Sequence, residues 1–508
     1  MALNVAECIT LPAQQSPEAV ALVFESIRLT FGSLLEQVQR VAAFLERSGL
    51  QPGDRVALLL PNTPHFPIIY YGVLYAGGIA VPLNPMQTAG ELNYLLQDAT
   101  PQLVFVWSDL ADVVTRATEG LTSIPDLVVV ETDLVTVVPE SGYSFLTEMA
   151  RADTKPAMAE TTPDDVAVIM YTAAYNGRPL GAQLTHYNIF QNAYTAGHRL
   201  LKFTPEDCSL GVLPLFHSFG QIVLMNAVLL AGSSLVLMAR FDATRVFELI
   251  EKERVTVIGL VPTMYHFLLG TKTNLQPDLS SLRHVLAGGA MLSQDLVVAF
   301  RERFGHTILE GYGLTETSPV VSFNMSMEAN RPGSMGLPLW GCNVRAVDEA
   351  GNTLPPGETG ELLVRGHNVM KGYLNQPEVT EKAIVDGWFH TGDRGYLDKD
   401  GYLYFQGLKK DMFIRAGLNV YPREIERVLE EHPQVAEAAV IGVADVVRGA
   451  EGQAFVVLSS ELDDAEKELK RYCRELMAGY KCPRAIVFLA SLPRRNDGRI
   501  DKDALRER

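Results

Sequence analysis

The sequence YTAAYNGRPLGAQLTH, at residues 171–186, follows an apolar run at 166–170 and precedes a helical pattern. This order predicts a strand, a loop and a helix, the junction at which backbone N–H groups and a helix dipole can hold a phosphate. Taken alone the loop is a poor phosphate cradle, because it has two glycines, Gly177 and Gly181, and no lysine. By itself the stretch favours a plain turn, and the segments around it decide its meaning.

Apolar runs rich in β-branched residues alternate with amphipathic stretches on both sides of this segment. The runs that predict strands lie at 55–60, 80–83, 103–106 and 127–130. Continuous apolar strands separated by helices are typical of parallel α/β sheets. Residues 246–269 are expected to be helix-rich, whereas short strands and many glycines at 333–369 predict a small β-rich subdomain.

The texture changes near residues 407–411, where a glycine and a charged cluster follow a strand-like run. Beyond this point the sequence predicts one helix and two strands, at 422–432, 435–442 and 454–459. These elements make a unit of about 100 residues, a normal domain size. We therefore predict an α/β fold in two domains. Residues 1–407 form two α/β subdomains and a β-rich one, and residues 408–508 form a smaller, mobile α+β domain.

Length and charge exclude several classes of protein. A chain of 508 residues is long enough for about three domain-sized units and a large core. Lys and Arg total 43 against 60 for Asp and Glu, and the net charge of −17 argues against nucleic acid as a partner. The five cysteines are scattered, with no CxxC pair and no Cys/His cluster, which indicates neither a disulfide framework nor a zinc site. We expect a reducing, cytoplasmic location.

Two regions bear on membrane targeting. The first residues lack the basic start and apolar run of a signal peptide. Residues 222–239 carry no charge, and their number, 18, is at the lower edge of a membrane span. Asn226 and a Gly-Ser-Ser turn interrupt this run, so it is interpreted as a buried helix, a turn and a buried strand. No transmembrane segment is predicted.

Two later segments place reactive side chains in glycine-bearing turns. Residues 311–317, GYGLTET, set an aromatic ring between two glycines and then a hydroxyl beside a carboxylate. Such a turn can stack a base, donate to a phosphate and hold a divalent cation through one acidic group. Residues 388–393, WFHTGD, offer a carboxylate suited to the two hydroxyls of a ribose. Either segment alone favours an ordinary structural turn.

Together, in this order and spacing, these segments resemble the adenylate-forming superfamily, which includes acyl-CoA synthetases, luciferases and peptide-synthetase adenylation domains. The resemblance covers essentially the whole chain. Further matching motifs are PLFHSFG at 214–220, LAGGA at 286–290, GELLVRG at 360–366, VMKGY at 369–373 and NVYPREIE at 419–426. Agreement of six or more ordered motifs makes chance a negligible explanation.

The resemblance implies a two-step reaction with ATP, Mg²⁺ and coenzyme A. A carboxylic acid, fatty or aryl, attacks the α-phosphate of ATP, and pyrophosphate leaves the acyl-adenylate. A thiol, by default that of coenzyme A, then displaces AMP. A carrier-protein thiol is the alternative acceptor.

The resemblance also implies a role for each matching residue. The nucleotide-binding residues would be Thr172, Gly177, Gly288, Gly289, Ala290, Gly311, Tyr312, Gly313, Thr315 and Asp393. Tyr312 would lie against the base, and Asp393 would bind the ribose. Glu316 would hold Mg²⁺. The acyl and coenzyme A contacts would come from His217, Ala290, Gly313, Ala416 and Gly417. The catalytic residues would be Arg499, His217 and the hinge residue Lys410.

The chain departs from the family pattern at catalytic positions. Family members usually read Thr-Ser-Gly-Thr-Thr-Gly, one variable residue and Pro-Lys-Gly in the phosphate loop. Here residues 173–176 replace Ser-Gly-Thr-Thr, and Leu180 replaces the lysine. Leu408 stands in place of an arginine, and Arg499 in place of the adenylation lysine, although a planar guanidinium is not equivalent to a compact ammonium. Lys502 is a candidate substitute, but a solvated surface lysine is the expected interpretation.

Three hypotheses follow for the activity. The first is an acyl-CoA synthetase-type ligase, slowed because each lost charge or donor costs on the order of 10²–10³ in rate. The second is a catalytically silent protein that binds an acyl group or a nucleotide. The third is a transfer-only enzyme that uses a preformed adenylate or another activated acyl donor. The sequence favours the first and leaves the acyl group and the oligomeric state open.

Overall fold

The structure is a computed structural model of the chain. It describes residues 2–131, 142–152, 155–173, 178–271, 277–324, 330–408, 411–494 and 500–506. The strands of these residues form two large mixed sheets and two smaller, mostly antiparallel ones. The predicted α/β class, with two α/β layers and a β-rich unit, is confirmed.

One large sheet carries the strands that lead into the candidate site. Its spatial order is Leu337–Pro338, Val320–Phe323, Ile308–Gly313, His284–Ala287, Val257–Leu260, Cys208–Gly211, Ser234–Leu237, Val20–Phe24 and Ile27–Thr30. The strands from Ile308–Gly313 to Val20–Phe24 are parallel, and antiparallel strands close both edges. The carboxyl ends of the parallel strands therefore meet along one edge of the sheet.

The second large sheet is also mainly parallel. Its order is Gly372–Tyr373, Pro179–Thr185, Val166–Ala173, Ile79–Pro82, Arg55–Leu59, Leu103–Trp107, Asp126–Val130 and Gly142–Ser144. The strands predicted at 55–60, 80–83, 103–106 and 127–130 are all present within one or two residues of their expected bounds. Their apolar side chains are buried on both faces, as continuous apolar strands require.

Two smaller sheets complete the described chain. The β-rich sheet has the order Cys342–Val347, Gly360–Gly366, Trp388–Leu397 and Ile384–Val385, with Leu403–Leu408 paired to Trp388–Leu397. The C-terminal sheet has the order Leu418–Val420, Phe413–Arg415, Gly449–Leu458 and Val435–Asp445, with Ala485–Phe488 paired to Gly449–Leu458. The change of sheet falls between Leu408 and Phe413, beside the predicted boundary at 407/408, which stays a prediction.

Helices cover the faces of these sheets. The α-helices are Glu7–Gln15, Phe31–Arg47, His65–Tyr75, Ala89–Ala99, Ala111–Ala117, Phe145–Arg151, His186–Tyr194, Ala227–Leu230, Ala243–Glu253, Pro262–Gly270, Gln294–Phe304, Pro377–Ala383, Pro422–Glu430, Ala465–Leu476 and Lys502–Arg506. Two π-helices, Thr195–Leu201 and Phe219–Asn226, and two 3-10 turns, Ser108–Leu110 and Thr315–Thr317, complete the helical segments of the described residues.

The strand–loop–helix prediction for residues 171–186 is wrong. Strands Val166–Ala173 and Pro179–Thr185 form an antiparallel hairpin, with Thr172 opposite Leu180. Ala182 and Leu184 are fully buried in the second of these strands. The next helix begins only after Thr185, so its N-terminus lies a whole strand away from the loop. The helix-dipole argument for phosphate binding therefore does not apply there.

Two further expectations meet different outcomes. Residues 246–269 are not all helical, because the buried strand Val257–Leu260 separates helices Ala243–Glu253 and Pro262–Gly270. Residues 222–239 form a helical segment, a turn and a strand, as predicted. The polar Asn226 is satisfied inside the core, where its amide bonds the hydroxyls of Tyr70 and Tyr71. Among the described residues, none of the helices has the length and apolar character needed to cross a membrane.

The C-terminal sheet and its helices dock on the second large sheet through a buried ion triad. The Lys481 ammonium lies 2.7 Å from a Glu91 carboxylate oxygen and 2.8 Å from one of Glu424. Burial lowers the pKa of Lys481, but Glu424, Tyr480 and Glu91 outweigh it and hold the pKa above its usual value. Glu91 is fixed in turn by a capping box with Thr88 at the start of helix Ala89–Ala99.

Lys481→Met should loosen this docking. Removing one partner of a buried ion pair costs about 3–5 kcal/mol, because Glu91 and Glu424 keep charges that nothing neutralises. We expect trypsin to cleave the connecting segment near Lys409 and Lys410 several-fold faster than in the parent protein.

Lys467→Met is the matched control for this change. Its ammonium pairs with Asp464, and both side chains are largely exposed, so little stability depends on the pair. Equal cleavage rates for both variants and the parent would contradict a docking role for Lys481.

Candidate active site

The candidate site lies where neighbouring parallel strands end. Ala287 and Glu310 are register partners, so the chain leaves strands His284–Ala287 and Ile308–Gly313 side by side. Gly288, Gly289 and Ala290 follow the first strand, and Gly311–Gly313, expected to lie in a turn, are the last three residues of the second strand. The sequence thus assembles two of its motifs at one sheet edge, the usual place for ligands in open α/β sheets.

Two of these glycines are required by the local backbone structure. A Cβ atom on Gly313 would lie 2.0 Å from the Pro319 carbonyl oxygen, so no larger residue fits. Gly289 has a φ of +78°, a left-handed conformation that favours glycine. Both positions therefore have structural reasons for glycine, whatever ligand the edge receives.

Tyr312 and Asp393 are joined across two sheets. The Tyr312 hydroxyl donates a hydrogen bond of 2.6 Å to Asp393 Oδ2, and the Asp393 amide donates to the Thr391 hydroxyl. Burial first, and then the Asp393 carboxylate, raise the pKa of Tyr312, so the phenol keeps its proton. The contact brings the GYGLTET and WFHTGD motifs together, as a shared nucleotide site requires.

Glu316 lies in the 3-10 turn Thr315–Thr317, beside the same cluster. Its side chain is buried, and the Tyr373 hydroxyl donates 3.1 Å to Oε1. Within the described residues no group of three or more His, Cys, Asp and Glu side chains could enclose a metal ion. A single carboxylate nevertheless suits Mg²⁺, which commonly takes one or two protein carboxylates together with phosphate oxygens and water.

Tyr421 reaches this cluster from the C-terminal sheet, and the sequence analysis assigned it no role. The residue is buried and immediately precedes helix Pro422–Glu430. Burial, followed by the carboxylates of Glu316 and Glu424, raises the pKa of Tyr421, and an interaction with the Thr172 hydroxyl opposes that rise. The only sequence signal was its place in the NVYPREIE motif.

His217 is held neutral near the site. Burial lowers the pKa of its imidazole to about 4. Its ring packs on Phe216, and Nε2 has no hydrogen-bond partner among the described residues. A buried ring nitrogen without a partner is available to a ligand, because leaving such an atom unsatisfied is unfavourable.

The turn at Ala416 and Gly417 lies against the first large sheet. Ala416 adopts a left-handed conformation, with a φ of 52°, and its amide donates 2.9 Å to the Arg448 carbonyl. A Cβ atom on Gly417 would approach Val261 to 2.8 Å. Since Val261 follows strand Val257–Leu260, this turn reaches the same sheet edge as the two glycine-bearing motifs.

Several expected site residues cannot be compared with the structure. Gly177, Lys410, Arg499 and the replaced loop positions 174–176 lie outside the described residues. Leu180 is described, and it is half-buried and packs against the main core. The position where the family has a phosphate-loop lysine is thus occupied by a core contact.

The expectation that Lys502 is a solvated surface lysine is wrong. Its side chain is 19% exposed and forms ion pairs with Asp411 and Glu426. Glu426 is buried in helix Pro422–Glu430, so its carboxylate needs a nearby cation. Lys502 supplies that charge, and in this arrangement it is not free to replace the adenylation lysine.

Glu310 is a second residue that the sequence analysis missed. It precedes Gly311 within strand Ile308–Gly313, and burial raises the pKa of its carboxyl to about 7. The signal in the sequence was an acidic residue at the end of an apolar strand.

Two family profiles match the chain, that of the AMP-binding enzyme at residues 10–374 and that of the AMP-binding enzyme C-terminal domain at 424–499. A long-chain-fatty-acid–CoA ligase of Bacillus subtilis (strain 168) is 36% identical over 98% of this chain and 93% of its own. A feruloyl-CoA synthase of an Amycolatopsis species is 36% identical over 98% and 97%. Among solved structures, an o-succinylbenzoate CoA synthetase double mutant from Bacillus subtilis, bound with its product analogue, has a TM-score of 0.87 and 31% identity over 99% and 98%.

Glu310→Gln should remove a pH dependence of stability. The pKa of Glu310 is raised from about 4.5 to about 7 on folding, so the folded state binds the proton more tightly. This contribution is complete below pH 4.5 and is lost as the pH rises through 7. Relative to the glutamine variant, the free energy of unfolding of the parent should fall by about 3 kcal/mol between pH 4.5 and 8.

The measurement is urea unfolding of both proteins at several pH values. Glu302→Gln, on the exposed face of helix Gln294–Phe304, is the control and should follow the parent. Parallel pH profiles for the parent and Glu310→Gln would show that the carboxyl titrates normally.

Proposed function

The chain belongs to the family of AMP-binding enzymes, and on that premise we propose that it is an acid–thiol ligase. It activates a carboxylic acid with ATP to an acyl-adenylate and transfers the acyl group to coenzyme A. Relatives that span nearly the whole chain are named as coenzyme A ligases of a long-chain fatty acid and of ferulate. This agreement does not favour the silent or transfer-only alternatives.

One observation carries the proposal. Tyr312, Asp393 and Thr172 lie on strands of three different sheets, and Glu316 lies in the 3-10 turn Thr315–Thr317. Tyr312 bonds Asp393, and Tyr421 interacts with Glu316, Thr172 and Asp393, so these groups converge where the parallel strands end. Such a convergence of hydroxyls and carboxylates is not needed for folding, because burying carboxylates costs free energy. A bound nucleotide would use these groups.

We assign the groups by their chemistry. Asp393 offers its carboxylate to the ribose hydroxyls, and Tyr312 orients that carboxylate by donating to Oδ2 while it packs beside the base. Thr172 and Thr315 supply hydroxyl donors to the phosphates, and the backbone N–H groups of Gly288, Gly289 and Ala290 line the adjoining wall. Gly311 and Gly313, which flank Tyr312 at the end of strand Ile308–Gly313, would border the ligand through their backbone. Gly177 belongs to the same assignment by its position in the motif.

Glu316 is the residue that would hold Mg²⁺, since its carboxylate is buried and its Oε1 accepts from the neutral phenol of Tyr373. When bound, the ion would neutralise charge on the phosphates. Tyr373 fixes the orientation of the carboxylate whether or not the ion is present.

The acyl group and the thiol approach from two sides. His217, neutral at pH 7, meets the substrate carboxylate as a hydrogen-bonding group and not as a cation. The Phe219 ring lies close to Gly288, since a Cβ atom at that glycine would be 3.1 Å from the ring. This ring would provide an apolar wall suited to a fatty or aryl acid. The Ala416–Gly417 turn on Val261 borders the path of the coenzyme A thiol. Arg499 and Lys410 keep their assignment as catalytic residues.

The proposal also covers the role of each domain and the cellular location of the protein. Residues 1–407 would bind the acid and the nucleotide, and residues 408–508 would move relative to them between the two steps. The cysteines at 8, 208, 342, 473 and 482 are free and buried, which suits the reducing cytoplasm.

The test is pyrophosphate release with Mg·ATP across a panel of fatty and aryl acids, with and without coenzyme A. We expect release that depends on one class of acid and a thioester that forms only with coenzyme A present. If a carrier-protein thiol forms the thioester as fast as coenzyme A does, coenzyme A is not the specific acceptor. A silent panel, with rapid acyl transfer from supplied acyl-adenylate, would leave a transfer-only enzyme.

Glu316→Ala and Asp393→Ala should separate the metal and ribose roles. Glu316→Ala should weaken Mg·ATP binding about tenfold and AMP binding little, because AMP needs no ion at this position. Asp393→Ala should weaken both nucleotides about tenfold, the scale of one lost charged hydrogen bond. Isothermal titration measures both affinities.

Glu378→Ala, which removes an exposed carboxylate from helix Pro377–Ala383, is the control and should bind both nucleotides like the parent. If both site variants bind Mg·ATP and AMP like the parent, neither carboxylate belongs to a nucleotide site.

A further inference from the structure

Helix His186–Tyr194 begins directly after the hairpin of strands Val166–Ala173 and Pro179–Thr185, and it carries two buried asparagines. Asn188 and Asn192 are four residues apart, so their side chains lie on the same face of the helix. Burying an amide side chain costs free energy unless its donors and its acceptor are bonded. The groups that these two amides bond therefore indicate what the helix holds in place.

Asn192 holds the base of the loop that contains Glu316. Its Nδ2 donates 2.9 Å to the Val320 carbonyl oxygen, and its Oδ1 accepts from the Val320 amide at 3.3 Å. Val320 is the register partner of Gly313, so this pair closes the loop between the two strands. Because both polar groups of Val320 bond one side chain, Asn192 fixes the residue at which the loop ends.

Asn188 holds the second backbone segment that contacts Glu316. Its Nδ2 donates 2.7 Å to the His367 carbonyl oxygen and 3.0 Å to that of Val369. The amide that follows, that of Met370, donates 2.9 Å to the Glu316 carbonyl oxygen. The two asparagines thus bond the two stretches of backbone between which Glu316 is held.

The same helix is tied to the hairpin that supplies Thr172. A capping box of Thr185 and Asn188 fixes the start of the helix at the end of the hairpin. Tyr373, whose hydroxyl donates to Glu316 Oε1, pairs with Ala182 of the second hairpin strand. A displacement of either backbone segment would therefore move the carboxylate relative to the hairpin.

We propose that Asn188 and Asn192 are positioning residues for Glu316 as the ligand of Mg²⁺. The inference rests on the proposed function, which assigns the ion to this carboxylate. Mg²⁺ demands near-ideal octahedral geometry, so a small displacement of its carboxylate ligand weakens the binding of the ion. Changes to residues that orient a metal ligand typically cost about 10–100-fold in metal affinity.

The test is the affinity for ATP, measured by isothermal titration with Mg²⁺ and with EDTA, and the affinity for AMP. Asn192→Ala should weaken Mg·ATP binding on the order of tenfold. It should leave metal-free ATP and AMP unchanged, because neither needs the ion. The Val320 carbonyl keeps the Asn368 amide as a donor at 3.1 Å, so this buried acceptor stays bonded in the variant.

Asn188→Asp is the second variant, and it should weaken Mg·ATP at least fivefold. It removes the donor to residues 367 and 369 but keeps an oxygen that can cap the helix, where the N-terminus favours a negative charge. In a Glu316→Ala background neither asparagine variant should weaken Mg·ATP further, since both residues act through that carboxylate.

Asn93→Ala is the matched control. The Asn93 amide likewise donates to two backbone carbonyl oxygens, those of Ala117 and Glu119, but it lies on helix Ala89–Ala99. The control should lower the melting temperature as the site variants do, and it should bind Mg·ATP like the parent.

Unchanged Mg·ATP affinity in both site variants overturns the proposal. An equal loss for Mg·ATP, metal-free ATP and AMP also overturns it, because that result shows a general disturbance of the site. An additive loss in the Glu316→Ala background has the same consequence. A parent protein whose ATP affinity depends neither on Mg²⁺ nor on Glu316 contradicts the metal assignment of the proposed function, and this proposal with it.

Discussion

The placement of Lys481 between Glu91 and Glu424 governs how the two parts of the chain meet. Glu424 lies in the first turn of helix Pro422–Glu430, so the ion triad fixes the start of that helix on the second large sheet. Tyr421 immediately precedes this turn and is thereby held beside Thr172 and Glu316. An interaction far from the reacting atoms therefore decides which C-terminal side chain enters the site.

The candidate site keeps the side chains of the family pattern at one end and departs from that pattern at the other. Around the proposed ribose and metal positions, Tyr312 donates a hydrogen bond to Asp393 and Tyr373 donates one to Glu316, and all four side chains are buried. At the pyrophosphate end, Leu180 packs into the core where the family pattern has a lysine. On the proposed assignment, charge on the leaving group would build there, so electrostatic stabilisation of the first step would be reduced, whereas AMP would bind at the other end.

The sequence predicted most of the fold because hydrophobic period is a local property. Buried parallel strands such as Leu103–Trp107 are continuous apolar runs in the sequence. The glycine-bearing motifs were recognised by family resemblance, and their position at the sheet edge comes from the structure. The hairpin at 166–185 was missed, because Gly177 and Pro179, where the second strand begins, suggested a single loop. Tyr421 and Lys502 were missed or misjudged for another reason. Their partners, Thr172 and Glu426, are distant in sequence, and one chain shows no pattern that links them.

One surface groove is lined both by Phe267, beside the first large sheet, and by Val447, in the C-terminal part of the chain. A ligand that contacts both parts of the chain stabilises their present arrangement by its own binding free energy. Conversely, whatever favours another arrangement raises the apparent dissociation constant of that ligand, in proportion to the loss of the competent population. The affinity of a ligand in this groove and the docking of the C-terminal sheet through Lys481 are therefore coupled. By reciprocity, a change in one changes the other by the same free energy.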